Sequence, residues 1–266
     1  GTWSGGAGSW TSATDVANAT YTAGASESGS ITLTLTTSGS SCSAVTDTKN
    51  ITVNANPTAS ASTSTGTVCE DATIILTGGA SGGSGGGYGY SWSGPSSYSS
   101  SDQNPTISVD ATTGMAGSYL LTVTDGNTCS SASSSTSITV NQNPTATAGS
   151  GLSAICQSAT SAVMGGSVGG GATGGTWSGG AGSWSNETNP STATYTAGAS
   201  ESGSITLTLT TSGGTCGSVT DTKNITVNSN PTAAASTSTG TVCEDATISL
   251  TGGASGGSGG GYGYSW

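Results

Sequence analysis

The sequence predicts an all-β chain built from small β-sandwiches repeated in tandem, and three observations predict it. Apolar residues fall in short runs that alternate with Ser and Thr, the period of a half-buried strand. Gly, Ser, Asn and Pro punctuate these runs at short intervals, with no helical periodicity between them. Finally, the chain repeats itself: Ile-Thr-Val-Asn-x-Asn-Pro-Thr-Ala occurs at Ile51–Ala59, Ile138–Ala146 and Ile225–Ala233, copies that start 87 residues apart. In each copy two β-branched residues share a face, as Ile51 and Val53 do, and read as the last strand of a unit. Asn-x-Asn-Pro then breaks the strand, because proline has no N–H for a ladder and biases the preceding residue toward an extended conformation. The pairs Asn56-Pro57, Asn143-Pro144 and Asn230-Pro231 are therefore read as domain junctions.

The cysteines keep the same register: Cys42, Cys129 and Cys216 are 87 apart, and so are Cys69, Cys156 and Cys243. A longer period lies over the shorter one, since Gly1–Trp92 recurs almost unchanged as Gly175–Trp266, two repeat lengths on. Two domain types thus alternate as an A/B super-repeat. A partial type B repeat spans 1–56, type A 57–143, type B 144–230 and a partial type A 231–266. Opening inside one repeat and closing inside another, the 266 residues read as a window on a longer array.

Composition alone would mislead. Ile, Leu, Val and Phe number 31 of 266, below the ~20% under which a highly charged chain is usually disordered. Their concentration in alternating runs bounded by turn residues argues for thin, ordered sandwiches. The net charge of −11 arises from a near absence of bases, Lys49 and Lys223 being the only two. Such a surface repels phosphate backbones and anionic bilayers, which disfavours nucleic-acid and membrane partners. No apolar run approaches the ~20 residues of a membrane span.

Taken in order, the first repeat reaches Ser30-Ile-Thr-Leu-Thr-Leu-Thr-Thr37, with Ile31, Leu33 and Leu35 on one face and Thr32, Thr34 and Thr36 on the other. The Thr row reads as the solvent side of a half-buried strand; an ice-binding ladder would need more stacked rungs than one such strand per pair of repeats supplies. In 57–143, strands are expected at Pro57–Ser64, Ala72–Gly78, Tyr88–Ser93, Thr106–Val109, Ser118–Thr124 and Thr136–Asn141. The run Gly78–Gly87 should be a flexible or tightly turned loop, since it lacks the Lys and the βαβ setting of a phosphate cradle. Asp125-Gly-Asn-Thr128 reads as a hairpin turn. Six or seven short strands of this kind fit an immunoglobulin-like sandwich. The three-residue gap from Val53 to Pro57 is too short for a flexible tether, so each domain should follow the last end to end and advance the chain by about 35 to 45 Å.

At Cys69-Glu-Asp-Ala-Thr-Ile-Ile-Leu, Tyr90-Ser-Trp92-Ser-Gly-Pro95, Asn104-Pro-Thr-Ile107 and Ala116-Gly-Ser-Tyr119 through Cys129, the chain resembles the PKD-like, immunoglobulin-like repeats of long Bacteroidetes cell-surface adhesins. The Gly-Thr-Trp-Ser-Gly-Gly and Ala-Thr-Tyr195-Thr-Ala-Gly segments of type B are similar to a companion repeat of the same proteins. The resemblance implies a secreted, surface-displayed array, commonly exported by the type IX route, and no particular ligand. Where type A has Tyr119, type B has Ile205, so a tyrosine corner is expected only in type A.

The inventory of reactive groups points away from an enzyme. Without histidine there is no imidazole base. Lys49 and Lys223, each in Asp-Thr-Lys-Asn, read as solvated surface charges. Glu70 and Asp71 would point opposite ways on an extended strand. Calcium is the one cofactor to weigh: Glu70, Asp71 and Asp125 offer oxygen ligands, yet without dense acidic spacing they read as solubilising charges, and no cofactor is expected.

Regular cysteines without a close C-x-x-C pair imply disulfides in an oxidising, extracellular setting. The spacing allows Cys69 with Cys129 (and Cys156 with Cys216) inside a domain, Cys129 with Cys156, or Cys69 with Cys216. In an immunoglobulin-like topology Cys69 belongs near the C-terminal pole and Cys129 near the N-terminal pole, too far apart for the ~5.5 Å that a disulfide spans between Cα atoms. A Cys69 to Cys216 staple, with the other cysteines bonded beyond the window or in neighbouring chains, is therefore expected, adding about 4 kcal/mol in the chain-entropy treatment.

The function that follows is a structural repeat of a long extracellular fibre, stalk or adhesin, with neighbouring repeats and identical chains as its partners. The alternatives are a carbohydrate- or surface-binding adhesin repeat, using Trp92, Trp177, Trp184 and the tyrosines to stack on sugars, and a non-catalytic appendage of a secreted enzyme. Trp residues in the core mean a spacer; two coplanar exposed rings per unit would mean sugar binding.

Overall fold

The computed structural model describes residues 1–39, 41–259 and 261–265; Trp266, the repeat counterpart of Trp92, lies outside them. Two compact units are present, Gly1–Val140 and Asn141–Trp266. Among the described residues no helix is long and apolar enough to cross a membrane.

In the first unit, strands β1 (Thr2–Ser4), β2 (Ser9–Thr11), β3 (Thr20–Thr22), β4 (Gly29–Thr36) and β5 (Thr46–Val53) precede the first Asn-Pro. They form the sheet β1-β4-β5 and the pair β2-β3. After the junction come β6 (Pro57–Thr63), β7 (Thr67–Cys69), β8 (Ile74–Gly82), β9 (Tyr88–Gly94), β10 (Tyr98–Ser100), β11 (Thr106–Ser108), β12 (Gly117–Asp125) and β13 (Ser134–Asn141). These make a five-stranded sheet, β10-β9-β12-β13-β7, and a three-stranded sheet, β11-β8-β6. Ile74 and Leu76 from the smaller sheet and Trp92, Tyr119, Leu121, Val123 and Ile138 from the larger close one core, none more than 2% exposed. Period-2 alternation places them there: along β12, Tyr119, Leu121 and Val123 are buried while Ser118 and Leu120 face out.

In the second unit, β14 (Pro144–Thr147), β15 (Ile155–Cys156), β16 (Ser167–Gly170), β17 (Gly174–Ser178), β18 (Ser183–Ser185), β19 (Thr194–Thr196), β20 (Gly203–Ser212) and β21 (Thr220–Asn228) form the sheet β15-β21-β20-β17 and the pairs β14-β16 and β18-β19. Trp177, Tyr195, Leu207, Leu209, Ile225 and Val227 fill its core. The short β15 runs parallel to β21. A last pair, β22 (Pro231–Thr237) with β23 (Leu250–Gly256), follows the third Asn-Pro.

Several expectations need correction. The glycine run is not a loop from Gly78: β8 carries on to Gly82, and Gly78 through Gly82 lie opposite Ala61 through Pro57. Glycine is needed there because a Cβ on Gly78 would lie 2.7 Å from the Gln103 carbonyl and 3.3 Å from the rings and methyls of Trp92 and Leu121. The strands β7 and β10 were not anticipated; at three residues each they are too short to show alternation. Asp125–Thr128 is a turn, closed by Thr128 N–H on Asp125 O, but β13 resumes only at Ser134 after an isolated Thr124–Ser130 bridge. Glu70 and Asp71 do not lie on an extended strand either. Ala72 N–H donates to Cys69 O across a turn in which Asp71 has φ 64°.

Candidate functional site

The sites in this chain are buried polar clusters, each fastening one end of a sandwich. At the end of β12, Asp125 is 5% exposed. Its Oδ2 accepts N–H bonds from Ser84 (3.0 Å) and Gly85 (3.3 Å), and its Oδ1 from Asn127 (2.9 Å) and Cys129 (3.0 Å). Burial pushes this carboxyl up, but the four N–H groups outweigh burial and hold it below the usual carboxylate range. The glycine-rich loop and the 125–129 turn are thereby pinned to one carboxylate. Ser84 Oγ in turn accepts from Ala55 N–H at 2.7 Å, and the Cys129 thiol lies 3.9 Å from Asn54 O. Asp125 therefore organises the Asn54–Asn56 junction. In the second unit Ser229 N–H bonds Ser258 Oγ at 2.8 Å, and the Cys216 sulfur lies 3.7 Å from Asn141 O.

Lys223 is the main departure from the sequence reading. It is buried, at 7% exposed, whereas its repeat counterpart Lys49 is exposed. Its Nζ donates to Ser150 O (3.0 Å) and Met164 O (2.5 Å) and lies 5.4 Å from the Trp177 ring centroid. Two residues earlier, Asp221 Oδ2 accepts from Ala148 N–H at 2.7 Å. Asp-x-Lys thus clips β21 to the connections on either side of β15, at residues 148–150 and 164. Burial pushes the Lys223 ammonium below its ordinary value, and Asp221 only partly opposes this. Sequence reasoning missed it because period-2 alternation already places Lys223 on the Ile225 side of the strand, yet a lone Lys reads as a surface charge.

A third cluster was also missed. Tyr195 OH donates to Glu201 Oε2 at 2.5 Å, and Glu201 accepts from Ala181 N–H and Gly198 N–H, both 2.9 Å, while Gly182 N–H donates to the Tyr195 oxygen at 2.8 Å. Burial first, and the Glu201 hydrogen bond second, push the Tyr195 hydroxyl up to about 12. The loop Gly179-Gly-Ala-Gly182 wraps this hydroxyl so closely that a Cβ on Gly180, at φ +70°, would sit 2.0 Å from it. Tyr21 and Glu27 repeat the arrangement with Ala7, Gly8 and Gly24. The legible signal was Tyr followed six residues later by Glu in both copies.

The tyrosine corner expected at Tyr119 forms: its hydroxyl donates to Met115 O at 2.8 Å, with Gly94 leaving room for the ring. Trp92 and Trp177 are each 1% exposed. Trp184 is half-buried, stacked on Trp177 at 6.0 Å and 15°, and its indole N–H is held by Gly179 O. Of the calcium candidates, Asp125 has both oxygens engaged by the main chain, and Glu70 and Asp71 sit in a separate turn. Among the described residues no group of three acidic, Cys or His side chains is placed to hold a metal. Cys69 and Cys216 are disulfide-bonded, while Cys129, Cys156 and Cys243 carry thiols.

The sandwiches and their polar clasps define an all-β protein of tandem immunoglobulin-like domains. No family model matches the chain, and no curated protein matches it. Among solved structures it is similar to the titin I-band fragment I67–I69 (TM-score 0.40, 14% identity, 75% of this chain and 76% of that one). The protocadherin GammaB4 extracellular domain matches at TM-score 0.37 and 13% identity over 96% of this chain and 50% of that one. The amphioxus IgVJ-C2 molecule matches at TM-score 0.29 and 16% identity over 46% of this chain, which spans 65% of its length.

Proposed function

We propose that this chain is a structural repeat segment of a long extracellular fibre, stalk or surface adhesin, non-catalytic and acting through its neighbouring repeats. The observation that carries the reading is the placement of the tryptophans. Trp92 and Trp177, the rings best suited to stack on a sugar, are 1% exposed and serve as the centres of two cores. Trp184 is coplanar with Trp177, yet the two do not offer the pair of exposed rings that a carbohydrate platform needs. The disulfide-bonded state of Cys69 and Cys216 supports an oxidising, extracellular setting. Near-identical copies two repeats apart suit a spacer, which gains from every identical unit.

Single-molecule stretching tests this. A chain of independent mechanical units should yield a sawtooth whose increments reach at most about 300 Å for an 87-residue repeat, shortened where a disulfide closes a loop. Extension without discrete rupture events would refute the reading. Specific retention on a glycan, abolished by Trp184→Ala, would replace it with the adhesin alternative.

A further inference from the structure

The two copies of the Gly-Thr-Trp half-sandwich differ in what lies over them. Residues 175–230 recur almost unchanged as 1–56, yet Trp177, Tyr195, Leu209 and Lys223 are buried, while Trp3, Tyr21 and Leu35 are half-buried and Lys49 is exposed. In the complete domain the cover is the leading segment 146–168. Its Ala148 and Met164 enter the core, with Leu152, Ile155 and Val168 packed against them. The segment is fastened along two edges. β15 adds to β21 in parallel, Ile155 beside Val227 and Cys156 beside Asn228. Ser161 and Met164 N–H donate to Tyr195 O and Ala193 O at 2.8 Å, and Ala159 O accepts from Ala197 N–H at 3.0 Å. Asp221 and Lys223 add the bonds to Ala148 N–H, Ser150 O and Met164 O.

The groups that receive this segment are repeated in 1–56. Asp47 and Lys49 stand where Asp221 and Lys223 do, Tyr21 where Tyr195 does, and Val53 where Val227 does. Residues 155–159 of the complete domain run past Val227, Asn228 and Ala197. At the corresponding place the first unit has an open cavity of about 310 Å³, whose lining includes Ala23, Glu27, Val53 and Asn56. The complete domain therefore states what fits the uncovered face. The fitting segment carries no charged residue, so a chain of net charge −11 accepts it without repulsion. It binds by adding strand edges and placing side chains in a groove. A parallel strand has no hairpin to its neighbour, so the segment need not be continuous with the sheet it joins. This chain holds one copy of it, engaged over 175–230. The leading segment of type A does not fit, because 57–82 folds as the antiparallel pair β6-β8 and carries Glu70 and Asp71.

We propose that the face of 1–56 is a docking site for a type B leading segment donated by a neighbouring polypeptide of the same kind, which lies parallel to β5 and closes a sandwich between two chains. The proposal rests on the fibre reading and names the joint between its chains.

Isothermal titration of the 266-residue chain with a synthetic peptide of residues 144–173 tests it. The peptide carries Cys156→Ser, so that no disulfide can form, and an acetylated amino end. One peptide should bind per chain. At saturation, acetylation of Lys49 by an amine reagent, read by mass spectrometry, should slow about tenfold or more, with the low reactivity of Lys223 unchanged. Lys49→Met removes the donor for the two peptide carbonyls at an exposed position and should weaken binding about tenfold or more. A peptide with Met164→Asp should not bind, a change that leaves the folding of the chain untouched. The type A peptide 57–82, with Cys69→Ser, should not compete. No binding, binding that leaves Lys49 reactive, or equal binding of the type A peptide overturns the proposal, and the fibre reading still stands if the stretching sawtooth is seen. Specific binding without a sawtooth keeps the docking site and removes the fibre reading.

Discussion

Lys223→Met separates a buried structural cation from a surface charge. Methionine keeps the unbranched stem beside Trp177 but removes the donor that serves Ser150 O and Met164 O. Hydrogen bonds to a charged donor contribute about 1.5–3 kcal/mol each, and a carbonyl left unpaired in a buried site costs about 1–3 kcal/mol. Against this stands the ammonium's desolvation, which methionine relieves. The net expectation is a loss of about 2–4 kcal/mol. At about 4–8 °C per kcal/mol for a domain of this size, the transition should fall by about 8–32 °C. Differential scanning calorimetry reads it, with Lys49→Met as the internal reference: the same substitution at an exposed counterpart should stay within about 0.5 kcal/mol. The pH dependence has a defined sign. With its folded value depressed, Lys223 binds its proton more tightly in the unfolded chain, so its contribution to stability rises as pH climbs from that depressed value toward 10.5. Equal effects at the two lysines, or a more stable Lys223→Met, would show that the carbonyls need no cation.

The remaining predictions use the same clusters. Tyr195→Phe, which leaves Glu201 and Gly182 N–H without their buried partner, should cost about 1–3 kcal/mol, measured by denaturant titration; an unchanged midpoint refutes the clasp. Stability should fall as pH rises from 10 through about 12, because folding holds the Tyr195 hydroxyl protonated beyond its unfolded value. Below the ordinary carboxylate range it should fall again as Asp125, Glu201 and Asp221, all depressed, take up protons. Trypsin has two possible sites, and both lie inside paired strands, Lys49 opposite Leu33 and Lys223 opposite Leu207, so the folded chain should survive long digestion; rapid cleavage of native material at these lysines counts against a well-packed sandwich there. Under non-reducing conditions Cys129 and Cys156 should alkylate and the Cys69 and Cys216 peptides should not, whereas a linked Cys69–Cys129 peptide would contradict that assignment.

Much of the fold was legible because alternation is a strong signal where residues are β-branched. The runs around Ile138, Leu207 and Ile225 place their strands and their buried faces directly. What stayed hidden was set by tertiary contact. Gly78–Gly82 has no side-chain period, so only the approach of Trp92 explains why it is strand. Asp125 resembled a turn residue, and its role at the junction depends on Ser84 and Gly85, 41 and 40 residues away in sequence. The threonine row could be read along one strand; that neighbouring strands would continue it sideways depended on register, which a single strand does not encode.

Sparse apolar content and an ordered core are reconciled by the way polar groups are closed off. Each sandwich buries only about ten apolar side chains, a small core for domains of this length. The added constraint comes from carboxylates and an ammonium that each gather distant main-chain groups: Asp125 four N–H donors, Glu201 two N–H donors and a hydroxyl, Lys223 two carbonyls. Among the described residues no buried side-chain nitrogen or oxygen lacks a hydrogen-bond partner. Such clusters are costly when half-satisfied and specify one arrangement when complete. They fall at the loops and chain connections, where the glycine-rich sequence would otherwise be most mobile, and leave the strand faces free to carry uncharged hydroxyls. In a repeated chain this division has a further consequence: two of the three acidic groups of the complete type B domain, Glu201 and Asp221, are engaged internally, and Glu187 stays exposed to solvent.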